Sequence, residues 1–112
     1  MKEELLTYKP KKIKNNEIKY IYEDNKIVII YPKKFGRIEG WIKEKIGGTE
    51  ELRRPLDKFT TFIWEMCDGL NNLAQIINKF DKQFGEEVAP ADVRVQKFIK
   101  QLLELNLISL NP

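Results

Sequence analysis

Between Leu56 and Gln75 the chain carries two helix starts with a stop between them, and no other stretch restricts its fold as closely. Asp57 stands as an N-cap, its carboxylate able to accept from the N–H groups of a first turn. Phe59, Phe62, Ile63, Met66 and Leu70 follow at helical spacing. Gly69 supplies the left-handed residue that stops a helix, and Asn72 with Gln75 three positions later starts the next. A tight helical pair with apolar faces is predicted.

The second helix carries Leu73, Ile76, Ile77, Phe80 and Phe84 on one face, and Gly85 closes it. A third begins near Pro90, with Asp92 favourable to its dipole, and presents Val95, Phe98, Ile99, Leu102, Leu103 and Leu105. Asn106 ends it, and 107–110 can add a short strand. Upstream, Ile18 to Tyr22 and Ile27 to Tyr31 are β-branched and aromatic runs joined by Glu-Asp-Asn-Lys, which predicts a hairpin. The continuous apolar run from Ile27 to Ile30 implies a strand covered on both sides and ended by Pro32. Glu51 to Leu56 is a third strand, and Pro55 confines it to a sheet edge.

The expected class is α+β and winged helix-turn-helix-like: an N-terminal three-stranded antiparallel sheet followed by three helices. Residues 1–17 are expected to form a basic, loosely ordered arm, and 18–110 a single domain. At 33–49, Gly36, Gly40, Gly47 and Gly48 bracket an inserted amphipathic segment with Ile38, Trp41, Ile42 and Ile46 on one face. It reads as a flap over the core, or as a partner-docking or membrane-surface helix.

Chemistry is limited by what is missing. There is no histidine and one cysteine, Cys67, so Ser-His and Cys-His nucleophiles, His-based metal sites, a zinc site within one chain and an internal disulfide are all excluded. Asp24, Glu50, Glu51, Asp68, Glu86 and Glu87 form no acid–base pair or cation loop and read as turn and surface groups. No enzyme and no cofactor are expected. Twenty basic against seventeen acidic residues give a balance of +3, too mild to announce a nucleic-acid binder. Nothing resembles a signal peptide or a bilayer-spanning run, and a cytoplasmic protein is expected.

The segment Pro-Leu-Asp-Lys-Phe-Thr-Thr-Phe-Ile-Trp-Glu-Met-Cys-Asp-Gly, Asn-Leu-Ala-Gln-Ile-Ile at 72–77, Phe-Gly at 84–85 and the run from Val95 to Ile108 resemble the PqqD-like family, the RiPP recognition elements. The likeness runs from about Leu52 to Leu110, and the hairpin fits it too. It implies a non-catalytic peptide-binding chaperone of natural product biosynthesis, cytoplasmic, without cofactor or membrane. Its partners would be the leader segment of a precursor peptide and a modifying enzyme such as a radical SAM protein. The leader would add as a strand along Glu51, Leu52, Arg53 and Arg54, near Leu56, and drop apolar side chains beside the third helix at Phe98 and Gln101. Arg94 and Lys97 would attract its acidic residues.

Phe98 and Leu105 serve equally as core. Arg53 and Arg54 serve either as readers of an acidic peptide or as guards against unwanted edge pairing. Cys67 reads as a small buried hydrophobe, and Trp41 and Trp64 as packing residues. The exposed third-strand edge also allows a homodimer. The alternative is a DNA-binding winged-helix regulator with Arg94, Lys97 and Lys100 on the duplex, although only Gln96 and Gln101 on that helix could read bases.

Overall fold

The computed structural model describes residues 3–15, 17–32 and 51–112, so the amphipathic segment expected at 33–49 lies outside the described residues. Backbone contacts divide the chain into two compact units, residues 15–56 and residues 1–14 with 57–112.

The strand unit contains β2 (Lys19–Glu23), β3 (Lys26–Pro32) and β4 (Glu51–Pro55), antiparallel in the order β2-β3-β4. The hairpin is closed by Asp24 and Asn25, both with positive φ (52° and 64°), as a two-residue turn matched to strand twist requires. Ile27, Val28 and Ile29 are buried, so both faces of the central strand are covered, as its unbroken apolar run predicts. Among the described residues β4 is an edge strand, again as predicted. The Leu56 N–H donates to Ile27 O at 2.8 Å, which makes these two directly opposed residues a hydrogen-bonded pair. Alternation then turns the backbone groups of Leu52 and Arg54 toward β3 and those of Glu51, Arg53 and Pro55 outward. Pro55 therefore lacks its donor on the side away from β3, and the ladder to β3 loses nothing.

The helical unit contains α1 (Lys58–Met66), α2 (Leu73–Phe84) and α3 (Ala91–Glu104). Asp57 caps α1 in a capping box with Thr60, and Asn72 caps α2 in another with Gln75. α1 ends at Met66, three residues short of Gly69. The turn that follows uses Gly69 at φ +79°, and Leu70, expected on the apolar face, projects into solvent. Gly85 (φ +61°) closes α2, Pro90 caps α3 after a cis bond from Ala89, and Asn106 (φ 58°) follows the end of α3. Ile63, Trp64, Cys67, Leu73, Ile76, Phe80, Val88, Val95, Ile99, Leu102 and Leu107 are buried in this unit.

One expectation is corrected. Part of the N-terminal stretch read as a loose arm is a strand, β1 (Lys9–Lys12), antiparallel to β5 (Ile108–Asn111), preceded by a 3-10 turn at Glu3–Thr7. Backbone bonds fasten it on both sides: Ile13 N–H to Leu107 O, Gly69 N–H to Pro10 O and Leu73 N–H to Tyr8 O, at 2.9–3.1 Å. The lysines of β1 hid it, because only Pro10 is fully buried while Lys9 and Lys11 are exposed.

Candidate functional site: a groove in the helical unit

Along α3, Pro90, Arg94, Lys97, Phe98 and Gln101 follow at i, i+4, i+7, i+8 and i+11, a row beside the core stripe. Together with Asp57, Phe59, Thr60 and Ile63 of the α1 region and Phe80 of α2, they line a groove of about 550 Å³. Its floor is apolar, because Ile63, Phe80 and Phe98 are each at most 4% exposed. Phe59 is braced edge-on by Phe80 and Phe84, with ring centroids 6.5 and 4.9 Å away. The rim is cationic, with Arg94 and Lys97 exposed, and half-buried Gln101 adds an amide.

Asp57 is the one carboxylate lining the groove among the described residues, and it is occupied by the helix it caps. Its Oδ1 accepts from Thr60 N–H and Thr60 Oγ1–H, both at 2.8 Å. Burial alone would raise its pKa; the bonds from Thr60 and Phe59 and the charge of Arg94 outweigh that and hold it below the usual carboxylate value. The groove can therefore accept an apolar side chain on its floor and an anion at its rim.

All four helix residues singled out from sequence, Arg94, Lys97, Phe98 and Gln101, line this groove, whereas Leu105 does not. Phe98 is core and groove floor at once. Sequence reasoning missed Asp57, Phe59, Thr60 and Val93 as lining. Val93 was the available signal: an apolar residue on the polar side of α3, away from the core stripe, here 57% exposed at the groove.

The strand residues singled out belong to the other unit. Glu51, Leu52 and Arg53 are exposed on β4, Arg54 is half-buried opposite Ile29, and Leu56 is buried just past the strand. The Arg53 guanidinium donates to Glu23 Oε1 at 2.7 Å, with both side chains more than half exposed. Among the described residues, β4 has β3 as its one strand partner.

Among the described residues no group of three or more His, Cys, Asp or Glu could hold a metal, and no helix is long and apolar enough to cross a membrane. Cys67 is buried, and burial pushes its thiol up to about 12 despite the nearby Lys12 charge. The described residues make a small α+β protein with an open groove in its helical unit. Residues 55–108, just under half of the chain, match the family model described as "Coenzyme PQQ synthesis protein D (PqqD)", and this match supports a PqqD-like family assignment. Comparison with curated proteins and with solved structures gave no match.

Proposed function

We propose that this chain is a non-catalytic peptide-binding module that captures the leader segment of a ribosomally made precursor and presents it to a modifying enzyme such as a radical SAM protein. The family it matches supports the coarser part of this reading, an accessory protein of peptide modification in biosynthesis. The observation that carries the finer part is the α3 groove, where an apolar floor lies beneath Arg94 and Lys97.

Energetics ask for more than backbone pairing. On β4 the outward-facing groups are the N–H and C=O of Glu51 and Arg53 and the C=O of Pro55. Such bonds contribute a net ~0.5–1.5 kcal/mol each, while every peptide residue ordered costs ~1–2 kcal/mol. Backbone pairing alone leaves a peptide unbound. Two or three buried apolar anchors, at ~1.5–3 kcal/mol each, bring the affinity into a useful range. An acidic residue beside an apolar anchor suits the cationic rim.

Titration with a synthetic peptide that sets acidic residues beside apolar ones tests the reading. Saturable binding is expected, weakened by Arg94→Glu with Lys97→Glu, which touch only exposed side chains, and by Arg53→Pro, which removes an outward donor. No saturable binding, or binding indifferent to both changes, sinks the proposal. Tight, salt-sensitive binding to duplex DNA would favour a regulator instead.

A further inference from the structure

The two cations at the rim of the α3 groove are not equivalent. Arg94 and Lys97 both line it and both are exposed, but Asp57, the one carboxylate among the described lining residues, is close enough to Arg94 to feel its charge. Asp57 is not free to swing away. Its Oδ1 accepts from Thr60 N–H and Thr60 Oγ1–H at 2.8 Å, because the same carboxylate caps α1. With its pKa below the usual carboxylate value, it keeps a negative charge at the mouth of the groove around neutral pH.

Lys97 stands three residues further along α3, ~4.5 Å along the helix axis. Among the described residues it has no hydrogen bond or ion pair, and its neighbours three and four positions away, Val93, Arg94, Lys100 and Gln101, include no acid. Nearby acids do not fill that place: Glu87 is held by Lys58 at 3.3 Å, and neither Glu87 nor Asp92 lines the groove. Charge is therefore nearly balanced where Asp57 meets Arg94 and positive at Lys97. A ligand carboxylate set beside Arg94 meets attraction and repulsion together. Set beside Lys97, it meets attraction alone.

We propose that Lys97 reads the acidic side chain of a bound segment and that Asp57 keeps Arg94 from reading a second. The groove then selects an apolar block with an acid at one end over the same block with acids at both. This rests on the peptide-binding reading above and assigns its specificity. Asp57 thus has two tasks, starting α1 and shaping the field of the site.

Calorimetric titration of the full chain with three blocked synthetic peptides tests it: a Leu-Ile-Leu block carrying Glu at its N-terminal end, at its C-terminal end, or at both. One single-acid peptide is expected to bind at least as tightly as the two-acid peptide. Lys97→Gln should weaken that single-acid peptide about tenfold and Arg94→Gln no more than about threefold, the range expected for charges near a protein surface. Asp57→Asn, which keeps the cap, should tighten the two-acid peptide about threefold to tenfold, and in that background Arg94→Gln and Lys97→Gln should cost it equally. A wild-type chain that binds neither single-acid peptide overturns the peptide-binding reading and this assignment with it. Tighter wild-type binding of the two-acid peptide, equal losses from Arg94→Gln and Lys97→Gln in the wild-type background, or no gain from Asp57→Asn overturns the assignment alone and leaves peptide capture standing.

Discussion

The ammonium of Lys12 lies 5.2 Å from the centroid of the Trp64 ring and donates to the Cys67 carbonyl at 3.0 Å, tying β1 to the end of α1. A lysine amid lysines is thus a packing residue. The charged bond and the ring contact are worth about 1–2 kcal/mol together. Lys12→Ala is expected to lower unfolding free energy by about that much in a urea titration, whereas the exposed Lys9→Ala should change it by less than about 0.5 kcal/mol.

Asp57 and Asp68 both sit below the usual carboxylate pKa. At Asp68 burial acts to raise it, and the N–H groups of Leu70 and Asn71 and the Asn71 side chain overcome that. A folded pKa lower than the unfolded one contributes stability above the unfolded value, near 3.8, and that contribution is lost as pH falls through the folded value. Thermal midpoints should therefore hold steady around neutrality and fall once the pH drops below about 4. Asp57→Asn, which keeps the cap without the charge, is expected to flatten that fall, while Asp57→Ala costs about 1 kcal/mol at neutral pH.

Cys67 should be inert while the chain is folded. It is fully buried, its Sγ–H donates to Ile63 O at 3.3 Å, and burial pushes its pKa up to about 12. Labelling by an aromatic disulfide reagent at pH 8 is expected to be slow in buffer and complete within minutes in denaturing urea. Rapid labelling without denaturant would contradict the packing at the end of α1.

Gly69 and Gly85 both hold left-handed backbone, at φ +79° and +61°. A Cβ on Gly69 would also lie 3.2 Å from Lys11 Cδ, whereas one on Gly85 would meet nothing within 4 Å. Each change to Ala is expected to cost about 1–2 kcal/mol by calorimetry. At Gly85 the whole cost is backbone strain. Truncating Lys11 should therefore relieve part of the Gly69→Ala loss and none of the Gly85→Ala loss.

What could be read from the chain followed local chemistry. Asp57 with Thr60, Asn72 with Gln75, the two glycines after the first two helices and the Asp24–Asn25 turn satisfy their backbone within a few residues, so the spacing of side chains exposes them directly. The run from Ile27 to Ile29 was legible because burial on both faces leaves no polar position. β1 was not, since its partner lies at the far end of the sequence and its side chains are mostly solvated lysines. On α3, Arg94, Lys97, Phe98 and Gln101 were singled out through the family resemblance, and helix spacing sets them in one row. Its facing wall, Phe59 and Thr60 on α1, was not, because a helical projection does not say which neighbour a flank meets.

The pairing of Lys9–Lys12 with Ile108–Asn111 also orders events in time. The helical unit is made of two pieces of chain with the strand unit spliced between them. During synthesis the hairpin has its partners within a few residues and can close early. β1 must wait, solvated, until β5 has emerged, and only then does the ribbon zip. A strand made before the hairpin is thus paired after it, and truncations near Ile108 would free β1 as well as the end they remove.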